Sequence, residues 1–142
     1  MKPDISEVIR CQLHLSTEDC IACDQCARIC PVNCIKIESI RAVADLGRTA
    51  DGTKKKFYLP TFDIDMAKCC YCGLCTVVCP TDCLTMSSVY DFPADNLEQL
   101  NFSFGNLTDA EKEQKLAEWA DFEAAKKTLK TNSSQINPAE KK

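Results

Sequence analysis

Eight cysteines fall into two runs of one spacing, CxxCxxCxxxCP. Cys20, Cys23, Cys26 and Cys30, followed by Pro31, form the first run. Cys69, Cys72, Cys75 and Cys79, followed by Pro80, form the second. Three thiolates at this spacing wrap a loop around a compact inorganic core, and backbone amides in the loop can donate to its sulfurs. The chemistry is that of a 4Fe–4S cubane, which takes up and returns single electrons. In this pattern the fourth cysteine ligates the cluster of the other run. The expected cofactors are therefore two [4Fe-4S] clusters. Cys20, Cys23, Cys26 and Cys79 would hold the first, and Cys69, Cys72, Cys75 and Cys30 the second.

Two other uses of cysteine fit less well. Structural zinc favours two ligand pairs separated by a longer loop rather than a three-cysteine run with a distant fourth. Disulfide scaffolds belong to secreted chains. MKPDISEVIR has no apolar stretch of signal-peptide type, so the expected compartment is the reducing cytosol. Four of the twelve cysteines lie outside the ligand sets. Cys34 and Cys83 each follow a fourth ligand by four residues, and are read as small buried packing residues. Cys70 matches Ile21 in the repeat and is read as an apolar filler. Cys11 receives no role.

The elements that position the ligands repeat at an offset of 49 residues. Leu13 and Leu15 align with Phe62 and Ile64, and Ile35 and Ile37 with Leu84 and Met86. Alternation of apolar and polar residues in all four flanks is the period of half-buried strands. Each half reads as strand, ligand loop, short helix, strand, with proline ending the helix. The expected fold is α+β, a ferredoxin-like pseudo-two-fold βαββαβ arrangement over 11–88, behind an N-terminal arm over 1–10. Cross-ligation would tie the halves together, so the metal-free chain should be largely unfolded.

Between the runs, 39–60 reads as an inserted surface loop or hairpin turning at Asp51-Gly52. Lys54, Lys55 and Lys56 read as a solvated face. After the cluster domain, 89–107 reads as an extended arm whose Phe92, Phe102 and Phe104 wrap the domain or meet a partner. A helix is expected over 108–131, opened by a Thr108–Glu111 capping box and presenting Leu116, Ala120 and Ala124 on one face beside Trp119 and Phe122. Residues 132–142 read as a disordered tail.

The net charge of −4 and the absence of a basic stripe exclude a nucleic-acid binder by composition. No apolar run approaches the length of a membrane span. His14, the single histidine, sits between Leu13 and Leu15 and should face away from the core. No nucleophile triad or carboxylate pair is readable, so no substrate chemistry is assigned and no catalytic residue is named.

FDIDMAKCCYCGLCTVVCPTDCLTM, Phe62 to Met86, resembles the two-cluster ferredoxin-like subunit I of bacterial NADH:quinone oxidoreductase, found also in photosynthetic NDH-type complexes. CIACDQCARICPVNCIKIE, Cys20 to Glu38, is similar to that family's first run. The resemblance covers Arg10 to Leu107. Only nine residues precede Arg10, where family members carry an amphipathic region resting on the membrane arm. The resemblance implies a relay of electrons towards quinone, other subunits of a multi-subunit redox complex as partners, and a peripheral place on the cytoplasmic face of an inner or thylakoid-type membrane. The alternatives are a free soluble two-cluster ferredoxin and the analogous subunit of a hydrogenase-type complex.

Overall fold

The computed structural model describes residues 10–133. Of the expected N-terminal arm (1–10) and disordered tail (132–142), 1–9 and 134–142 lie outside the described residues, while Asn132 and Ser133 belong to the last helix. Between them the chain runs β1 (Leu13–Leu15), α1 (Gln25–Ile29), β2 (Ile35–Arg41), β3 (Phe57–Asp65), α2 (Leu74–Val77), β4 (Leu84–Met86), β5 (Asn101–Ser103) and α3 (Asp109–Ser133), with a 3-10 turn at Glu98–Leu100 before β5. This is a small mixed α/β fold, compatible with a ferredoxin-like iron–sulfur domain.

Both sheets are antiparallel. The first and last strands of the cluster region, β1 and β4, pair with Leu13 opposite Met86 and Leu15 opposite Leu84. The two middle strands, β2 and β3, pair with Ile35 opposite Ile64 and Ile37 opposite Phe62. Alternation does the positioning: Leu13 and Leu15 are buried while His14 between them is exposed. Phe62, Ile64, Leu13 and Leu84 are the most deeply buried large side chains, so the core is made of the strand residues that flank the two cysteine runs. The register of β2 on β3 shifts by one residue between Glu38 and Ile40, beside Pro60, which has no N–H to give to a ladder.

The strands β2 and β3 extend into both ends of 39–60, which leaves only 42–56 between them. That segment is a tight hairpin. Thr49 N–H donates to Thr53 C=O, Arg48 pairs with Lys54, and Gly52 turns the chain at φ +87°. It folds back on the first ligand loop. Lys55 Nζ donates to the carbonyls of Thr17 (3.2 Å) and Glu18 (2.7 Å), and Ala50 N–H to Asp19 Oδ1 (2.8 Å). Lys54 pairs with Asp45 at 2.8 Å. The solvated-face reading of this basic run is corrected for Lys55, whose ammonium braces the segment leading into Cys20.

The arm after β4 wraps the domain. Its strand β5 extends the β2–β3 sheet, with Phe102 opposite Ile64, and Phe92, Phe102 and Phe104 pack against the core. The last helix, α3, opens on the Thr108–Glu111 box: Glu111 N–H reaches Thr108 Oγ1, and Thr108 N–H donates to Glu111 Oε2 at 2.8 Å. The apolar face expected on this helix is not the face that docks. Leu116 and Ala120 are exposed, and the half-buried positions are Lys112, Lys115 and Trp119. Lys112 pairs with Glu38 on β2, Lys115 lies over the Tyr58 ring, and Arg41 lies over Trp119, the last two at 5.5 Å. A helix polar nearly all round docks through charge and cation–π contacts instead of an apolar stripe. Among the described residues no helix is long and apolar enough to cross a membrane.

Candidate iron–sulfur site

Each ligand loop is bent by residues with positive φ, and the repeat is visible in them. Ala22 (φ 53°) and Tyr71 (φ 52°) correspond, as do Asp24 (φ 59°) and Gly73 (φ 77°), and Asn33 and Asp82, both at 49°. For Ala22 and Tyr71 this conformation costs about 1–2 kcal/mol, so surrounding contacts must hold it. Its local effect is to turn amides towards sulfur. Tyr71 N–H donates to Cys69 Sγ at 3.4 Å, and Ala22 N–H does the same for Cys20. Asp24 and Gly73 then open the helices α1 and α2, which pack on one another. Cys30 closes α1 in an extended conformation, as a residue before proline must.

The cysteines gather in two places. Cys20, Cys23 and Cys26 of the first run line one cavity together with Cys79 of the second. Its remaining wall is mostly apolar, from Leu15, Ile37, Phe62 and Leu84. On the other side, Cys69, Cys72 and Cys75 lie close enough to act electrostatically on one another, and Cys30 lies beside Cys69. The cavity thus brings three cysteines of the first run together with the fourth of the second, and Cys83 lines it as well.

Burial opposes thiolate formation in both places. It pushes the Cys26 thiol up to about 12 and Cys75 up to about 11. It also acts on Cys30, but amides of Cys34, Val32 and Asn33 outweigh it and hold that thiol below its ordinary value. For Cys20 the Cys83 thiol is the largest influence and lowers it. Buried thiolates of this kind are stable when iron neutralises them, and binding then releases their protons.

The donor set fits a cubane. All the donors are sulfur, the wall is apolar, and amides aim at the ligand atoms. All twelve cysteines are free thiols, so no disulfide competes for them. Among the described residues no three His, Cys, Asp or Glu side chains converge tightly enough for a single metal ion. A tetrahedral zinc, with each sulfur about 2.3 Å from the metal, needs that convergence. A cubane spreads its four ligands around a larger core.

Residues 19–83 match the family model of the 4Fe-4S dicluster domain. Over these residues the chain is similar to a ferredoxin-like iron–sulfur domain. The match covers every cysteine of both runs. The match supports 4Fe–4S cluster binding, the chemistry of electron transfer. No match was found among curated proteins.

Of the remaining cysteines, Cys34 and Cys83 are buried against ligands, and Cys11 is buried outside both groups. Cys70 corrects the apolar-filler reading: its side chain is exposed, although Ile21 at the matching position is half-buried. Two groups near sulfur went unread in the sequence. Thr81, whose hydroxyl lies 3.8 Å from Cys79 Sγ, is one. The Lys55 brace on the Cys20 loop is the other, and its only sequence signal was a basic run.

Proposed function

We propose that the chain holds two [4Fe-4S] clusters, each with three ligands from one run and the fourth from the other, and relays single electrons towards quinone as a subunit of an NADH:quinone oxidoreductase-like complex. The observation that carries the ligand assignment is the shared cavity of Cys20, Cys23 and Cys26 with Cys79, which is 53 residues further along the chain than Cys26. The clusters supply one-electron chemistry when bound. The chain's own part is to hold them at fixed separation through the α1–α2 contact and to shield them with Phe62, Leu15 and Leu84.

Placement in a complex is supported by the resemblance of Phe62–Met86 to subunit I of that enzyme. The wrapped arm and α3 also support it, since they add surface beyond what a diffusing carrier uses. On this reading the protein associates with the cytoplasmic face of the membrane through its partner subunits.

Anaerobic purification of tagged protein from native membranes tests both parts. The expected result is about eight iron atoms and eight sulfides per chain, two reduced-cluster signals in electron paramagnetic resonance, and co-purifying redox subunits. Colourless protein with zinc and no sulfide refutes the clusters. Full iron content in protein recovered alone from the soluble fraction refutes the complex and assigns a free carrier.

A further inference from the structure

Two buried thiols outside the ligand sets occupy matching places. Cys34 is 5 % exposed and Cys83 6 %. Cys34 Sγ lies 3.4 Å from Cys30 Sγ, and Cys83 Sγ lies 3.4 Å from Cys79 Sγ. Each also has a second sulfur partner, Cys69 for Cys34 and Cys20 for Cys83. Cys30 and Cys69 belong to one proposed ligand set, and Cys79 and Cys20 to the other. A thiol that merely fills space has no reason to touch two ligands of the same cluster, and here both do.

We infer that Cys34 and Cys83 are positioning residues whose S–H groups donate to ligand sulfurs and raise the reduction potential of the cluster each one adjoins. The inference rests on the two-cluster reading above. Reduction adds negative charge to the cluster and its thiolates, so a donor aimed at a ligand sulfur stabilises the reduced form more than the oxidised one. Each thiol has one hydrogen and serves one of its two sulfurs at a time. The halves are not equal. Thr81 places a hydroxyl 3.8 Å from Cys79 Sγ, and its counterpart Val32 has no side-chain donor, but in that half the backbone amides of Cys34, Val32 and Asn33 donate to Cys30 Sγ.

The test uses the anaerobically reconstituted full chain carrying Cys34→Ala, Cys34→Val or Cys34→Ser, and the same three changes at Cys83. Valine fills the space without a donor, and serine keeps a donor. Iron and sulfide counts and a redox titration followed by electron paramagnetic resonance are read on each. Expected are wild-type counts throughout and a fall in one cluster's reduction equilibrium of several-fold to tenfold in the alanine and valine variants. Tenfold corresponds to about 59 mV for one electron. Serine should restore most of it. Unchanged potentials at full iron content overturn the inference and leave packing as the role. Loss of one cluster's iron from the serine and valine variants alike also overturns it, because the residue is then a ligand. A wild-type chain with iron for a single cluster overturns the two-cluster reading instead.

Discussion

Gly105 stands where the chain leaves β5 and crosses β3. A Cβ at this position would meet the Pro60 carbonyl oxygen at 2.2 Å, its carbon at 3.1 Å and Thr61 Cα at 3.3 Å. These are backbone atoms of a strand paired to β2, and they cannot swing aside as a flexible side chain could. Gly105→Ala must therefore lift 104–106 from β3. Lifting it breaks the bond from Phe104 N–H to Phe62 C=O (2.8 Å) and the bond from Asn106 N–H to Leu59 C=O (3.3 Å). It also draws the Phe104 ring from its edge contacts with Phe62 and His14. Two hydrogen bonds at about 1 kcal/mol each, with partial exposure of one aromatic side chain, amount to about 3 kcal/mol. Hydrogen exchange on the anaerobic, cluster-loaded protein reads this directly. Protection of the Phe104 and Asn106 amides should fall about a hundredfold, at about 1.4 kcal/mol per factor of ten, while β2 keeps its own. Because Phe62 also walls the Cys20 cavity, chelator-driven bleaching should quicken. Protection within about threefold of wild type would refute the steric argument.

The docking of α3 should be indifferent to mild acid. The Lys112 ammonium, with the Thr61 hydroxyl and Lys36, holds the Glu38 carboxyl down to about 2. A depressed carboxylate stabilises above its unfolded value, near 4.5, and that stabilisation is lost as pH falls through about 2. Protection factors in the first turns of α3 should thus stay constant from about pH 7 to about pH 5, and Glu38→Gln should lower them throughout; a fall in wild-type protection within that window contradicts the reading. Cys70→Ser should leave iron content and cluster spectra unchanged, because the side chain is exposed. Loss of iron from that variant would make Cys70 a ligand.

The parts of the fold legible in the sequence were those that the cluster and the strand period dictate locally. A cubane constrains three ligands within seven residues, so the runs announce themselves. Phe62 and Ile64 were placed in strands by alternation alone, and they are the most buried residues of β3. What stayed hidden depends on contacts between distant segments. The strand β5 has three residues, too few to show a period, and exists because β3 had an edge to offer. The docking face of α3 was not legible from apolar spacing, because the helix docks by Lys112, Lys115 and Trp119 on β2 and β3. Cys70 was misread for a related reason: a repeat equates positions but does not set the burial of a loop side chain. The role of Lys55 required the hairpin to fold back on Thr17 and Glu18, which no local pattern encodes.

The central claim is that the last cysteine of each run serves the other run's cluster. Paramagnetic NMR of the reduced and oxidised protein, with the cysteine β-protons assigned by run, tests it through Cys79→Ser. The account predicts that the shifted resonances of Cys20, Cys23 and Cys26 are lost or displaced while those of Cys69, Cys72 and Cys75 persist. The reverse outcome, with the second run's own resonances disturbed and the first run's intact, would contradict it.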